Sequence, residues 1–360
     1  DSETSADASD NARDDTSVAE ESGAEVSPAL GIERRRRSGR PRRGRGDIEH
    51  VYRSIDGADN NEADRTIGAA KTDFRRALPS AYGDGISSLA GANRPSARVI
   101  SNLVAAQEGS VPNNDRLSDY LWQWGQFLDH DITETPGVEP AEPANIAIPT
   151  GDLFFDPDAE GGKTMALNRS LYNPATGREL GNPREQVNEI SAWIDASNVY
   201  GSEEERAEAL RAHNGNGRLK TSEGDLLPFN EEGLANAGGD SAELFVAGDI
   251  RANEQAGLAA IHTLFMREHN RWADELRGRN PNWDGERIYQ EARRKVGAEM
   301  QAITYREFLP ALLGNNALPR YRGYDSSIDA GISAESIHSN RSQHARTAAL
   351  EGFRNGEIAV

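Results

Sequence analysis

Between Asp115 and Thr133 the apolar residues Leu117, Tyr120, Leu121, Trp124 and Leu128 recur at three- and four-residue spacing. That is the period of a helix with one face buried against a partner. Asp115 stands in the N-cap position, and Pro136 ends the pattern. Three further stretches read the same way. Ser202 to Ala212 opens on a serine cap, with Glu203, Glu204 and Glu205 in its first turn, where the helix dipole favours acids. Asn253 to Arg277 is the third stretch, and Asp284 to Phe308 the fourth, with Ile288, Ala292, Val296, Met300 and Ile303 along one face. A loop rich in Pro, Gly and Asp fills residues 137–162. Alternating runs are few and no internal repeat is present, so the fold class is mainly α.

A chain of 360 residues is long enough for a substantial core. The first 46 residues are acidic and then arginine-rich, with Arg34 to Arg37 followed by Arg40, Arg42, Arg43 and Arg45. They hold almost no large apolar residues, so they are expected to form a disordered tail. The organisation expected is therefore a tail over 1–46, a helical domain over 47–333 and a divergent segment over 334–360. The net charge of −19 argues against nucleic acid as the main partner. The chain has no cysteine, which excludes disulfides, thiolate catalysis, iron–sulfur clusters and a thiolate-ligated haem. No apolar run is long enough to span a membrane. The sequence starts at Asp1 with neither methionine nor signal peptide, as a processed product or an excised piece would.

Three polar groups mark the residues that carry chemistry. Gln126, Asp129 and His130 lie three and four apart on the aromatic-rich first helix, so they share a face. They fit a pocket in which His130 moves a proton, and equally a buried histidine satisfied by a nearby carboxylate. Arg251 and Glu254, at the start of the third helix, fit either a helix ion pair or an arginine aimed at a polarised ligand. Asp131 points off the other side of the first helix. Ser191, Asp195 and Ser197, with the carbonyl of Trp193, offer alternating oxygens that suit calcium, or an ordinary polar loop.

Several long runs, in order, resemble the animal-type haem peroxidases of the peroxidase–cyclooxygenase superfamily. Trp124 to Asp131, WGQFLDHD, resembles that family's distal signature, and Ser191 to Ser202, SAWIDASNVYGS, its calcium loop. Ala247 to Asn270 is similar to its arginine-bearing segment and following helix, and Asn280 to Leu309 to the next helix. Arg53 to Asn61 and Arg94 to Arg98 add two shorter matches.

The resemblance implies a large helical haem peroxidase domain, incomplete on its C-terminal side. It implies a haem b cofactor, bound calcium, and hydrogen peroxide as oxidant for halides, thiocyanate or small aromatic donors, outside the cell. His130 would be the distal base, Arg251 the stabiliser of charge as the O–O bond breaks, and Gln126 a hydrogen-bonding neighbour. Asp129 and Glu254 would form esters with haem methyl groups. Gln255 stands where one member of the family carries a methionine linked to a haem vinyl, so that third link is not expected. Asp131, Ser191, Trp193, Asp195 and Ser197 would hold calcium. His262 and His269 would be structural. After Ser333 the pattern departs: His344 falls near the proximal iron ligand's position, yet lacks apolar surroundings. This chain is therefore expected to bind haem weakly or without a normal fifth ligand, and to show little peroxidase activity by itself. Two alternatives follow: a non-catalytic calcium-binding scaffold, and a fatty-acid dioxygenase of the same superfamily.

Overall fold

The computed structural model describes residues 52–113 and 115–335. The tail expected over 1–46, and residues 336–360 of the divergent segment, His344 among them, lie outside the described residues. The regular structure of the described part is mainly helical, as the spacing predicts. In chain order its helices are α1 (Ala97–Ala105), α2 (Tyr120–Ile132), α3 (Ser197–Tyr200), α4 (Glu204–Ala209), α5 (Ala256–Arg279), α6 (Gly285–Ile303) and α7 (Leu309–Leu313). Its strands are two residues each. β1 (Thr72–Asp73) pairs antiparallel with β4 (Val187–Asn188), and β2 (Ile146–Ala147) with β3 (Thr164–Met165). Among the described residues no helix is long and apolar enough to cross a membrane.

The core forms where α2 packs on α5. Phe127 is fully buried and stacks on Phe265 with ring centroids 5.1 Å apart, while Trp124 lies 5.7 Å from the same ring. Leu258 and Ile261 complete this layer, and Val296, Met300 and Leu309 extend it beneath α6 and α7. Ala273 and Leu276 of α5 meet Ile288 and Ala292 of α6 in a second small cluster.

Helix boundaries depart from the sequence reading in four places, each for a local reason. The first helix begins at Tyr120, with Asp119 rather than Asp115 at the N-cap. Upstream, the Asn113 side chain grips both backbone groups of Leu117, and Arg116 has φ 56°, so no helix can propagate through this stretch. The second is only Glu204–Ala209; the Ser202 hydroxyl accepts from the Ser191 amide instead of capping it. The third begins at Ala256, where the Gln255 side chain accepts from the Gly257 amide. Arg251 and Glu254 therefore precede α5 in a turn and share no helix face. The Asn253 side chain holds that turn by bonding both backbone groups of Phe245. The fourth is capped by Asp284 as expected, but widens to a π-turn at Thr304–Phe308 before α7. Pro310 has no amide hydrogen, and its ring crowds the carbonyl four residues back.

Candidate active site

Helix α2 presents Gln126, Asp129 and His130 on one side, as the spacing predicts, and the turn before α5 brings Arg251 and Glu254 to them. Gln126 Nε2 donates to Glu254 Oε2 at 3.0 Å. The Gln126 carbonyl oxygen accepts from Gln255 Nε2 at 3.1 Å, and Gln255 is tied in turn to Gln123. Asp129 accepts from the Thr133 hydroxyl at 2.8 Å, and its other oxygen lies 4.0 Å from Arg251 Nη1. Arg251 Nη2 donates to the Thr133 carbonyl at 2.8 Å.

Between His130 and Arg251 sits a residue that the sequence reading missed. Asp249 is buried and accepts from Arg251 Nε at 2.9 Å and Nη2 at 2.7 Å, and its Oδ1 lies 3.6 Å from His130 Nδ1. Burial pushes the Asp249 carboxyl up, but Arg251 and His130 overcome it and hold the group at about 2. Burial and the Arg251 cation push His130 down to about 3, with Asp249 opposing. At neutral pH the imidazole is therefore uncharged, and its contact with Asp249 is not an ion pair. Burial lowers the Arg251 guanidinium, yet Asp249 wins and keeps it charged. Burial raises the Glu254 carboxyl. Glu134, next to Thr133, is driven by burial up to about 7. The corner thus joins a neutral imidazole to a permanent cation.

The oxygen-rich loop closes on the opposite side of α2. Asp131 and Ser191 are fully buried, and Asp195, Ser197 and Trp193 nearly so. Ser197 Oγ donates to Asp131 Oδ1 at 3.0 Å, and Ser191 Oγ to Asp195 Oδ2 at 2.8 Å. The Asp131 carboxylate also accepts from the amides of Ala196 and Asn198. The Trp193 carbonyl accepts from the Asp195 amide. Burial raises both carboxyls, and the neighbouring Asp195 raises Asp131 further. Asn60, not foreseen as a site residue, donates to Asp195 Oδ2 at 3.3 Å.

Backbone packing couples the two sides. The Asp249 amide donates to the Asn198 carbonyl at 3.0 Å. Gly248 lies so close to α3 that a Cβ there would fall 2.3 Å from the Ser197 oxygen and 2.5 Å from the amides of Tyr200 and Gly201. Backbone atoms cannot rotate aside, so Gly248→Ala is expected to destabilise the chain by about 3 kcal/mol. Urea unfolding measures this, and a loss under about 0.5 kcal/mol would show that the contact is loose.

His262 and His269, both on α5, are buried in the core. His269 Nδ1 faces the Tyr200 hydroxyl at 2.8 Å and Nε2 the Gly217 carbonyl at 2.9 Å. His262 meets the Phe127 ring edge-on at 4.9 Å. Of the unforeseen residues, Asp249 had a legible signal: it stands two positions before Arg251 in a quoted motif. Asn60 likewise stands in a quoted run, Arg53 to Asn61, whereas Glu134 had no signal, because its burial depends on remote segments.

Known proteins share this arrangement of elements. Murine peroxidasin homolog is 37% identical over 78% of this chain and 22% of its own length. Murine myeloperoxidase is 37% identical over 78% of this chain and 44% of its own. The chain thus spans less than half of the length of these relatives. Peroxidase A of Dictyostelium discoideum superposes with a TM-score of 0.73 at 32% identity, covering 81% of this chain and 58% of that one. A fatty acid alpha-dioxygenase of Arabidopsis thaliana superposes at 0.60 with 23% identity, over 74% of this chain and 38% of its own, a likeness of fold alone. The sequence model of the animal haem peroxidases matches residues 52–349, which include both the His130–Arg251 corner and the loop around Asp131. The chain therefore belongs to the animal haem peroxidase family.

Proposed function

We propose that the His130–Arg251 corner is the distal side of a haem peroxidase site that reduces hydrogen peroxide and oxidises small anionic or aromatic donors. The observation that carries this reading is geometric: the buried His130 imidazole and the largely buried Arg251 guanidinium meet at one carboxylate, with His130 Nδ1 3.6 Å from Asp249 Oδ1 and Arg251 Nε and Nη2 donating to Asp249. Bound haem supplies the electrons that cleave the peroxide bond. His130 takes a proton from the peroxide and returns it to the departing oxygen. Arg251 Nη1, the end turned toward Asp129, stabilises the negative charge that develops as the peroxide bond breaks. Gln126 hydrogen-bonds beside them. Asp129 and Glu254 fit an ester linkage to haem b: both flank the corner, and as esters they carry no charge to desolvate. The oxygens of Asp131, Ser191, Asp195 and Ser197 and the Trp193 carbonyl fit calcium. Two buried carboxylates raised by burial balance one divalent ion, and the remaining donors are neutral oxygens. The ion would brace α2 directly beside His130. The extracellular placement rests on family resemblance.

The test is stopped-flow mixing of haemin-loaded full chain with hydrogen peroxide. His130→Ala is expected to slow the peroxide reaction about 10²–10⁴-fold, and Arg251→Gln about 10²–10³-fold. A rate unchanged in both variants removes the reading. Oxygen uptake with palmitic acid, together with no peroxide reaction, would favour the dioxygenase activity instead.

A further inference from the structure

We propose that Asp249 is a positioning residue that sets the tautomer of His130 and the aim of Arg251 with one buried carboxylate. The inference rests on the distal-site reading above and names a residue that the reading does not require.

The Asp249 side chain is 1% exposed. Its Oδ1 accepts from the Arg251 backbone amide at 2.8 Å and from Nε at 2.9 Å, and its Oδ2 from Nη2 at 2.7 Å. Nη2 also donates to the Thr133 carbonyl. The guanidinium is thereby held by its inner edge, and Nη1 is left as the end facing Asp129. A fork held by two carboxylate oxygens has one orientation, whereas an arginine paired through one atom can swing.

The same Oδ1 lies 3.6 Å from His130 Nδ1, a nitrogen that is buried with no hydrogen-bond partner. Asp249 stays ionised because Arg251 compensates it, so at this position it can only accept. An accepting neighbour favours the tautomer with the proton on Nδ1. The lone pair then belongs to Nε2, the nitrogen that must take the peroxide proton. A separation of 3.6 Å is long for a hydrogen bond, but such contacts are often loose before the substrate complex forms. The geometry matches the logic by which a buried aspartate orients the histidine of serine proteases, where replacing it by asparagine leaves the wrong tautomer and slows turnover about 10⁴-fold. Gly248 and the Asp249–Asn198 backbone bond fix the carboxylate against α3, so the positioning does not depend on a mobile side chain.

The experiment reads the His130 tautomer directly. Long-range ¹H–¹⁵N spectra of the full chain, labelled at histidine and free of haem, are recorded at neutral pH for wild type, Asp249→Asn and Asp249→Glu. Wild type is expected to carry the proton on Nδ1. The asparagine variant should shift the proton to Nε2, because its amide can donate to Nδ1, and the glutamate variant should restore Nδ1–H. In the haemin-loaded protein, Asp249→Asn should slow the peroxide reaction at least about 10²-fold, with the haem absorption spectrum retained. A wild-type proton on Nε2 overturns the proposal without any variant, and so does an asparagine variant whose tautomer is unchanged. An unmoved tautomer with normal peroxide reactivity discards the role of Asp249 and keeps the distal site. A tautomer that switches in a protein inert to peroxide keeps the role and discards the distal site.

Discussion

Replacing Asp131 by alanine is expected to destabilise the calcium-loaded chain by about 4 kcal/mol, because it leaves buried donors without an acceptor. The Asp131 carboxylate receives the Ala196 amide at 3.2 Å and the Asn198 amide at 3.3 Å, and both lose their acceptor; the Ser197 hydroxyl, 3.0 Å from the carboxylate, keeps the Asp131 backbone carbonyl at 2.8 Å. Ala196 is a non-glycine residue at φ 67°, a conformation that persists only when its surroundings hold it. Losing the carboxylate therefore releases the turn into α3 and the loop packed on it. The effect depends on the ion. Without calcium, Asp131 and Asp195 repel each other, and removing one of them relieves that repulsion, so the loss shrinks. Wild type should gain about 2.7 kcal/mol when calcium stands at a hundred times its dissociation constant, and Asp131→Ala should gain nearly nothing. Urea unfolding of both proteins with calcium and with chelator measures all four values. Equal stability of wild type in the two conditions would remove calcium from the loop.

Acidification should have an effect of similar size through the buried imidazoles. His262 and His269 are pushed down to about 4 by burial, and His130 to about 3, whereas unfolded histidine titrates near 6.5. Each folded-state value is depressed, so the unfolded chain binds protons first as pH falls, and stability is lost below about 6.5. At pH 5 each imidazole has forfeited about 2 kcal/mol relative to pH 7. Glu134 works in the other direction. Its carboxyl is raised to about 7, so the folded chain binds that proton first and regains about 2 kcal/mol over the same interval. The three imidazoles together lose about 6 kcal/mol and Glu134 returns about 2, so the net expectation is a calcium-loaded chain about 4 kcal/mol less stable at pH 5 than at pH 7. His269→Gln should shrink that difference by about 2 kcal/mol, whatever it does to stability at pH 7. A pH dependence that is flat, or that rises on acidification, would mean that the imidazoles are not held neutral by burial.

The sequence by itself determined the features written in contiguous residues. The period of Tyr120, Leu121, Trp124 and Leu128 placed a buried helix, and three- and four-residue offsets put Gln126, Asp129 and His130 on one side of it, with Asp131 on the other. The cap at Asp284 was equally legible, because it depends on one side chain and the amide three residues on. Tertiary structure alone decided where α5 begins. Arg251 and Glu254 stand three apart, as on one helix face, but the Asn253 side chain clamps Phe245 and holds that stretch as a turn. It also decided that the partner shared by His130 and Arg251 is Asp249. Spacing shows which side chains share a face of one element, but not which carboxylate is buried between two elements. That burial depends on Gly248 lying against the backbone of α3, a contact between segments far apart in the chain, and no local period encodes it.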